Sequence, residues 1–263
     1  MKTLELTPPG TVYLVGAGPG APDLITLRGL AALRRADVVV YDALVHPQLV
    51  AEAPADAERV YAGKRGYCVG STLQETIHEV MANRARAGLT VVRLKGGDPC
   101  VFGRGGEEAE YLAGRGVPVE IVPGVTTAVG ACAAAGIPLT HRDATQAVTL
   151  VTGHFDPDSP DCTLDWAALA RTGTLVVYMG LRHLDAIAAR LTQNGLPPDT
   201  PAAVVCRGTL PDQQVIDSPL SLLPAAARAA GAAAPAVVVV GEGVAHRSRM
   251  LALASAASEG ALA

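Results

Sequence analysis

The sequence predicts an α/β protein, with mostly parallel or mixed sheets in two domains. Three observations predict it: short apolar runs that end in glycine or a polar residue, helical patterns between them, and a second start of the alternation after Pro123-Gly124. Uninterrupted Val/Leu runs mark strands buried on both faces, as parallel sheets require.

In chain order, the strand pattern falls at Val12–Val15 before Gly16 and Val38–Tyr41 before Asp42, with a further strand expected just ahead of Lys64. It resumes at Val91–Leu94 before Lys95 and Val119–Val122 before Pro123. After the break come Val148–Val151, Leu175–Tyr178, Ala203–Val205 and Ala236–Val240. The helical patterns begin with Asp23–Ala36, for which Asp23 is the expected N-cap, and Ser71–Ala87, where Ser71 and Gln74 have capping-box spacing. The others cover Glu107–Gly114, Thr127–Ala135, Asp165–Ala170, Arg182–Thr192 and Pro219–Ala230. Pro-Gly after the strand at Val119–Val122 resets chain direction, so the expected domains are 1–122 and 123–263.

Composition narrows the function. With 263 residues, 49% hydrophobic and 17% charged, the chain has the makings of a substantial core. A net charge of −4 and 3% aromatics argue against a nucleic-acid partner. Five cysteines (Cys68, Cys100, Cys132, Cys162 and Cys206) form no C-x-x-C pair, so no metal site is expected, and a reducing, cytoplasmic setting is the simplest account. The first ten residues lack the apolar core of a signal peptide, and the Ala/Val-rich stretch at 225–241 is broken by Arg228, Gly231 and Pro235. No membrane segment is expected.

Eighteen arginines stand against three lysines, Lys2, Lys64 and Lys95. In a chain that uses arginine wherever a cation suffices, a retained lysine points to a task unsuited to a planar guanidinium.

Two glycine loops carry the functional signal. The stretch from Arg93 to Glu108 holds Gly96, Gly97, Gly103, Gly105 and Gly106 with Asp98 and Arg104, a composition that lets backbone approach a ligand closely. The earlier loop from Gly16 to Asp23 follows a strand and precedes a helix, the setting of a dinucleotide fingerprint. Pro19 and Pro22 remove two of its amides, and a plain strand-to-helix turn explains it equally well. Asp42 and Lys64 each fall at an expected strand end, where α/β sheets open into ligand crevices, and either proton transfer or an ion pair fits them. His141 and His154 follow turn and strand signals and are weaker candidates for facing a ligand. Gly-x-Ser-x-Gly, Walker and zinc-protease motifs are absent.

Taken together, several motifs resemble one family. They are Val15-Gly-Ala-Gly-Pro-Gly20, Tyr41-Asp-Ala-Leu44, Gly63-Lys-Arg65, Arg93-Leu-Lys-Gly-Gly-Asp-Pro99, Phe102-Gly-Arg-Gly-Gly-Glu-Glu108, Pro123-Gly-Val-Thr126, Gly136-Ile-Pro-Leu-Thr-His-Arg142, Thr152-Gly-His154 and Tyr178-Met-Gly180. Over about residues 10 to 247 the chain is similar to the uroporphyrinogen-III C-methyltransferases of the tetrapyrrole methylase family.

The resemblance implies two α/β domains with the active-site cleft between them, a homodimer, and transfer of two methyl groups from S-adenosylmethionine to uroporphyrinogen III. The expected products are precorrin-2 and S-adenosylhomocysteine. It implies cofactor contacts at Pro19, Gly96, Gly97, Asp98, Val101, Thr126, Thr127, Met179 and Gly208, and a proton acceptor and donor at Asp42 and Lys64. Local charge adds Arg65, Arg104 and Arg142 as candidate clamps for substrate carboxylates. No fused dehydrogenase/ferrochelatase module is read in the sequence, so the chain is expected to stop at the methylated product, destined for sirohaem or cobalamin.

Overall fold

A computed structural model describes residues 10–63, 71–247 and 249–250. The chain divides into two compact units between Thr126 and Thr127.

The first unit is a five-stranded, wholly parallel sheet: β1 (Val12–Gly16), β2 (Val38–Tyr41), β3 (Glu58–Tyr61), β4 (Val91–Lys95) and β5 (Val119–Val122), in the order β3-β2-β4-β1-β5. One face packs Val12, Leu14, Val38, Val40 and Val91 beneath helix α3 (Ser71–Arg86) and Leu112 of α4 (Gly105–Ala113). The other packs Val15, Val39, Val92 and Leu94 against α1 (Leu27–Leu33) and Leu49 of α2 (Pro47–Ala51). Connections leave β1 toward β2 and leave β4 toward β5, so the order reverses between β1 and β4. Their carboxyl ends form the switch point where such sheets open into a ligand crevice. Both glycine loops start there.

The first helix begins later than the sequence suggests. Pro22–Leu24 is a 3₁₀ turn containing Asp23, Ile25 is extended, and Thr26 is the N-cap, its hydroxyl accepting from Gly29 N at 3.1 Å. Prolines at 19 and 22 and the extended residues after them use up the chain that a helix from Asp23 would need.

The second unit holds the mixed sheet that the expected class, mostly parallel or mixed, includes. Its sheet, β6 (Val148–Thr152), β7 (Thr174–Tyr178), β8 (Pro201–Cys206), β9 (Gln214–Pro219) and β10 (Ala236–Val240), has the order β6-β7-β10-β8-β9. Only β6 and β7 run parallel; the other three pairings are antiparallel. Strand β9 has no counterpart among the expected strands and ends at Pro219, where the expected helix begins; the helix α8 runs over Leu223–Ala229. As a half-exposed edge strand with Asp217 and Ser218, β9 lacks the apolar run that marks its neighbours. α7 (Leu184–Gln193) and α8 cover the face lined by Leu175, Val177, Val204 and Val238, with α6 (Trp166–Leu169) at its margin. On the opposite face the Tyr178 hydroxyl accepts from Ala128 N, at the start of α5 (Thr127–Ala134), at 2.8 Å.

Among the described residues no helix is long and apolar enough to cross a membrane, and no group of three or more His, Cys, Asp or Glu is placed to hold a metal ion.

Candidate active site

At the switch point of the first unit the two glycine loops lock onto each other. Ala17 N donates to Lys95 O at 2.7 Å, Gly97 N donates to Gly18 O at 2.6 Å, and Gly18 N returns a bond to Gly97 O at 3.2 Å. A Cβ on Gly16 would lie 2.6 Å from Gly124 Cα and 2.7 Å from Gly97 O, so Gly16, Gly97 and Gly124 form one contact that tolerates no side chain. Gly97 also has φ +69°, a left-handed conformation suited to glycine.

Asp98 ties the third loop in. Its Oδ1 accepts from Cys100 N at 2.8 Å and its Oδ2 accepts from Gly124 N at 3.0 Å. Each carboxylate oxygen therefore already accepts from a backbone amide, one in its own loop and one in the loop at Gly124. Gly96 is pressed by Leu44, whose Cβ would be 2.7 Å from an added methyl. Val101, half-buried, and Phe102, exposed with φ +54°, crown the loop, and Pro19 is half-buried on the facing one. A non-glycine residue held at positive φ on a ligand-loop crest is the kind of strain that functional sites retain.

Beneath this cradle lies a buried polar network missed from sequence. Arg93 and Lys95, each 4% exposed, extend from one face of β4. Arg93 lies within the strand expected at Val91–Leu94, and Lys95, expected to follow the strand, is its last residue. Glu108 of α4, fully buried, receives both: Arg93 Nε at 3.3 Å and Lys95 Nζ at 3.0 Å. Arg93 Nη1 also donates to Val40 O and Leu94 O, and its Nη2 lies 3.9 Å from Asp42 Oδ2. Gln74 of α3 donates to Glu108 at 3.2 Å and contacts His78 at 3.1 Å. The legible signal was the alternation Val91-Val-Arg-Leu-Lys95: cations spaced by two on a buried strand demand a buried anion.

Burial lowers the pKa of Lys95, Arg93 reinforces that shift, and Glu108 opposes it. Burial also lowers the pKa of His78, against the raising influence of Glu108.

Asp42, at the carboxyl end of β2, keeps Oδ1 on Leu44 N at 3.0 Å, and its side chain is 23% exposed. Lys64 and Arg65 lie outside the described residues, so the structure brings Asp42 together with Arg93 but says nothing of Asp42 and Lys64. Arg104, exposed with φ +60°, chelates Glu107 through Nε and Nη2 and reaches Gln74 Oε1 at 3.4 Å. A substrate carboxylate at Arg104 must share it with Glu107.

In the second unit, Met179 follows β7 at φ +56° and is half exposed. Gly208 lies between Arg207 (φ +47°) and Thr209 (φ +69°), and a Cβ on it would collide with the Ala131 Cβ of α5. Its glycine identity thus has a packing cause within the unit. Thr127 opens α5, half-buried, immediately after Thr126 of the first unit. Arg142 is exposed in the turn closed by His141 and Thr145. His141 stacks on His246 at 3.8 Å, and His154 N donates to Thr152 Oγ1.

A parallel sheet with paired glycine loops at its switch point, followed by a mixed sheet with a strained Met at a strand end, defines a ligand-binding α/β chain of two units. Residues 11–224 match the model of the tetrapyrrole (corrin/porphyrin) methylases, and the chain belongs to that family. It is 52% identical over 241 residues to a siroheme synthase of Gluconacetobacter diazotrophicus, covering 90% of this chain and 50% of that protein. The chain thus spans about half the length of the siroheme synthases it matches. Among solved structures it is similar to uroporphyrin-III C-methyltransferase from Thermus thermophilus, complexed with S-adenosylhomocysteine. That likeness has a TM-score of 0.74 and 40% identity, covering 89% of this chain and 93% of that one. It is also similar to a cobalt precorrin-4 methyltransferase, with a TM-score of 0.79 and 33% identity over 89% of this chain and 95% of that one.

Proposed function

We propose that this chain is an S-adenosylmethionine-dependent C-methyltransferase that adds two methyl groups to uroporphyrinogen III, giving precorrin-2. The observation that carries the reading is the similarity to the Thermus thermophilus enzyme over nine-tenths of both chains. The local architecture fits such a ligand: backbone rather than side chain forms the cradle at Gly16, Gly97 and Gly124, with exposed apolar surface at Phe102 beside it.

On this reading Pro19, Gly96, Gly97, Asp98, Val101, Thr126, Thr127, Met179 and Gly208 hold S-adenosylmethionine, which when bound supplies an electrophilic methyl group on its sulfonium. The chain's own work is alignment and proton handling, since positioning a reactive pair accounts for a large part of such a barrier. The Asp42 carboxylate takes the proton released from the methylated ring. Lys64 returns a proton or binds a substrate carboxylate. Arg65, Arg104 and Arg142 bind further carboxylates of the polyacid through charge-assisted hydrogen bonds. The protein works as a homodimer in the cytoplasm.

The test incubates the chain with methyl-labelled S-adenosylmethionine and uroporphyrinogen III and reads product mass, beside calorimetric titration with S-adenosylhomocysteine. Two methyls in the product are expected. Absence of S-adenosylhomocysteine binding sinks the assignment; binding without transfer to uroporphyrinogen III moves it to a later corrin-ring substrate.

A further inference from the structure

The charges around β4 do not balance by themselves. Arg93 and Lys95 are two buried cations, and among the described residues Glu108 is the one fully buried anion that receives them. A buried charge persists only when paired. Lys95 Nζ and Arg93 Nε both bond Glu108 Oε1, at 3.0 Å and 3.3 Å. One positive charge is left over. The outer nitrogen of the Arg93 fork, Nη2, carries it to Asp42 Oδ2 at 3.9 Å.

The fork cannot swing elsewhere. Nε is held by Glu108, and Nη1 is held by the carbonyls of Val40 and Leu94, at 3.4 Å and 3.3 Å. Asp42 is fixed at its other oxygen by Leu44 N. The described charged groups around Asp42 are Arg93 and Lys95 from β4 and Glu108 from α4, with His78 of α3 behind Glu108. A lysine in place of Arg93 has no planar fork to reach three partners at once.

We infer that Arg93 is a positioning residue for Asp42: locked by Glu108 and two strand carbonyls, its guanidinium sets the orientation of the Asp42 carboxylate and supplies the fixed positive charge opposite it. A polyacidic substrate places further negative charge near this carboxylate, and the buried guanidinium offsets that field from the protein side. The inference rests on the reading of Asp42 as the base, and its test separates the two.

The test compares the wild type with Arg93→Met and Arg93→Lys in the full chain. Arg93→Met leaves Lys95 and Glu108 as a balanced pair, which keeps the fold accessible, and thermal unfolding checks it. Crystal structures of both variants read the orientation of the Asp42 carboxylate, and kcat, KM and S-adenosylhomocysteine affinity are measured in parallel. In Arg93→Met the carboxylate turns away from its wild-type orientation and kcat falls about tenfold, while S-adenosylhomocysteine affinity stays within about threefold. Arg93→Lys keeps the charge but not the planar fork, and kcat stays low. An Asp42 carboxylate that keeps its wild-type orientation in Arg93→Met overturns the inference even if the wild type methylates nothing. A turned carboxylate with kcat unchanged overturns Asp42 as the base and leaves the pairing standing.

Discussion

Glu108→Gln isolates the cost of the buried network. Glutamine keeps the shape of the side chain but removes the anion shared by two cations whose side chains are each only 5% exposed. Breaking a buried ion pair by deleting one partner costs about 3–5 kcal/mol, because the surviving charges stay desolvated. Against a total of about 5–15 kcal/mol for a domain, that is a large share. With a urea dependence of about 2 kcal/mol per molar, the unfolding midpoint of the first unit falls by about 2 M. The chain has one tryptophan, Trp166, in α6 of the second unit, so its fluorescence follows that unit separately. Hydrogen exchange in β4 and α4 reads the first unit directly. Glu108→Gln combined with Lys95→Met restores charge balance and returns stability to within about 1–2 kcal/mol of wild type, since a neutral pair leaves no ammonium buried without its anion. The loss should also shrink at alkaline pH. Burial sets the folded pKa of Lys95 below its ordinary 10.5, so between those values the unfolded chain binds more protons and stability rises with pH. A single variant costing under about 1 kcal/mol, or a double variant no more stable than the single, refutes the argument.

Two further outcomes follow from other contacts. Gly16→Ala forces apart backbone at Gly124 and Gly97, and is expected to cost about 1–3 kcal/mol and to weaken S-adenosylhomocysteine binding, whereas Gly106→Ala meets nothing within 4 Å and should be neutral or stabilising by calorimetry. His78 has its folded pKa lowered by burial, so its contribution is present above the ordinary value of 6.5 and lost as pH falls below it; a His78→Leu variant should flatten that part of the stability–pH curve measured by urea titration, and an unchanged slope would assign the acid sensitivity elsewhere.

The first unit was more legible than the second for a physical reason. Its inner strands β1, β2 and β4 are largely buried on both faces, so they appear as apolar runs broken by charge only at Arg93 and Lys95. The mixed sheet keeps β7, β8 and β10 equally apolar, which conceals strand direction: Val237 to Val240 read the same whether paired parallel or antiparallel. Direction is set by connections, and the half-exposed edge strand β9 has too short an apolar run, Val215-Ile216, to be read as a strand. Of the candidate site, the glycine positions were legible because close backbone contacts exclude every other residue. The partners of Asp98 were not, since an acceptor's spacing does not tell a ligand from the amides of Cys100 and Gly124.

The scarcity of lysine has its clearest explanation at Lys95. Its ammonium lies 3.0 Å from each Glu108 oxygen, at the last residue of β4, directly before Gly96 and under the loop that Gly97 locks to Gly18. Arg93, two residues earlier on the same strand face, has room for a fork and uses it on Glu108, the strand carbonyls and Asp42. A second fork at Lys95 would compete for the same buried carboxylate and press into the loop above it. One compact cation and one planar cation satisfy a single anion where two planar ones do not. The same division of labour leaves the Arg93 fork free to reach across β2, so the identity of Lys95 bears on the setting of Asp42 although the two need share no hydrogen bond.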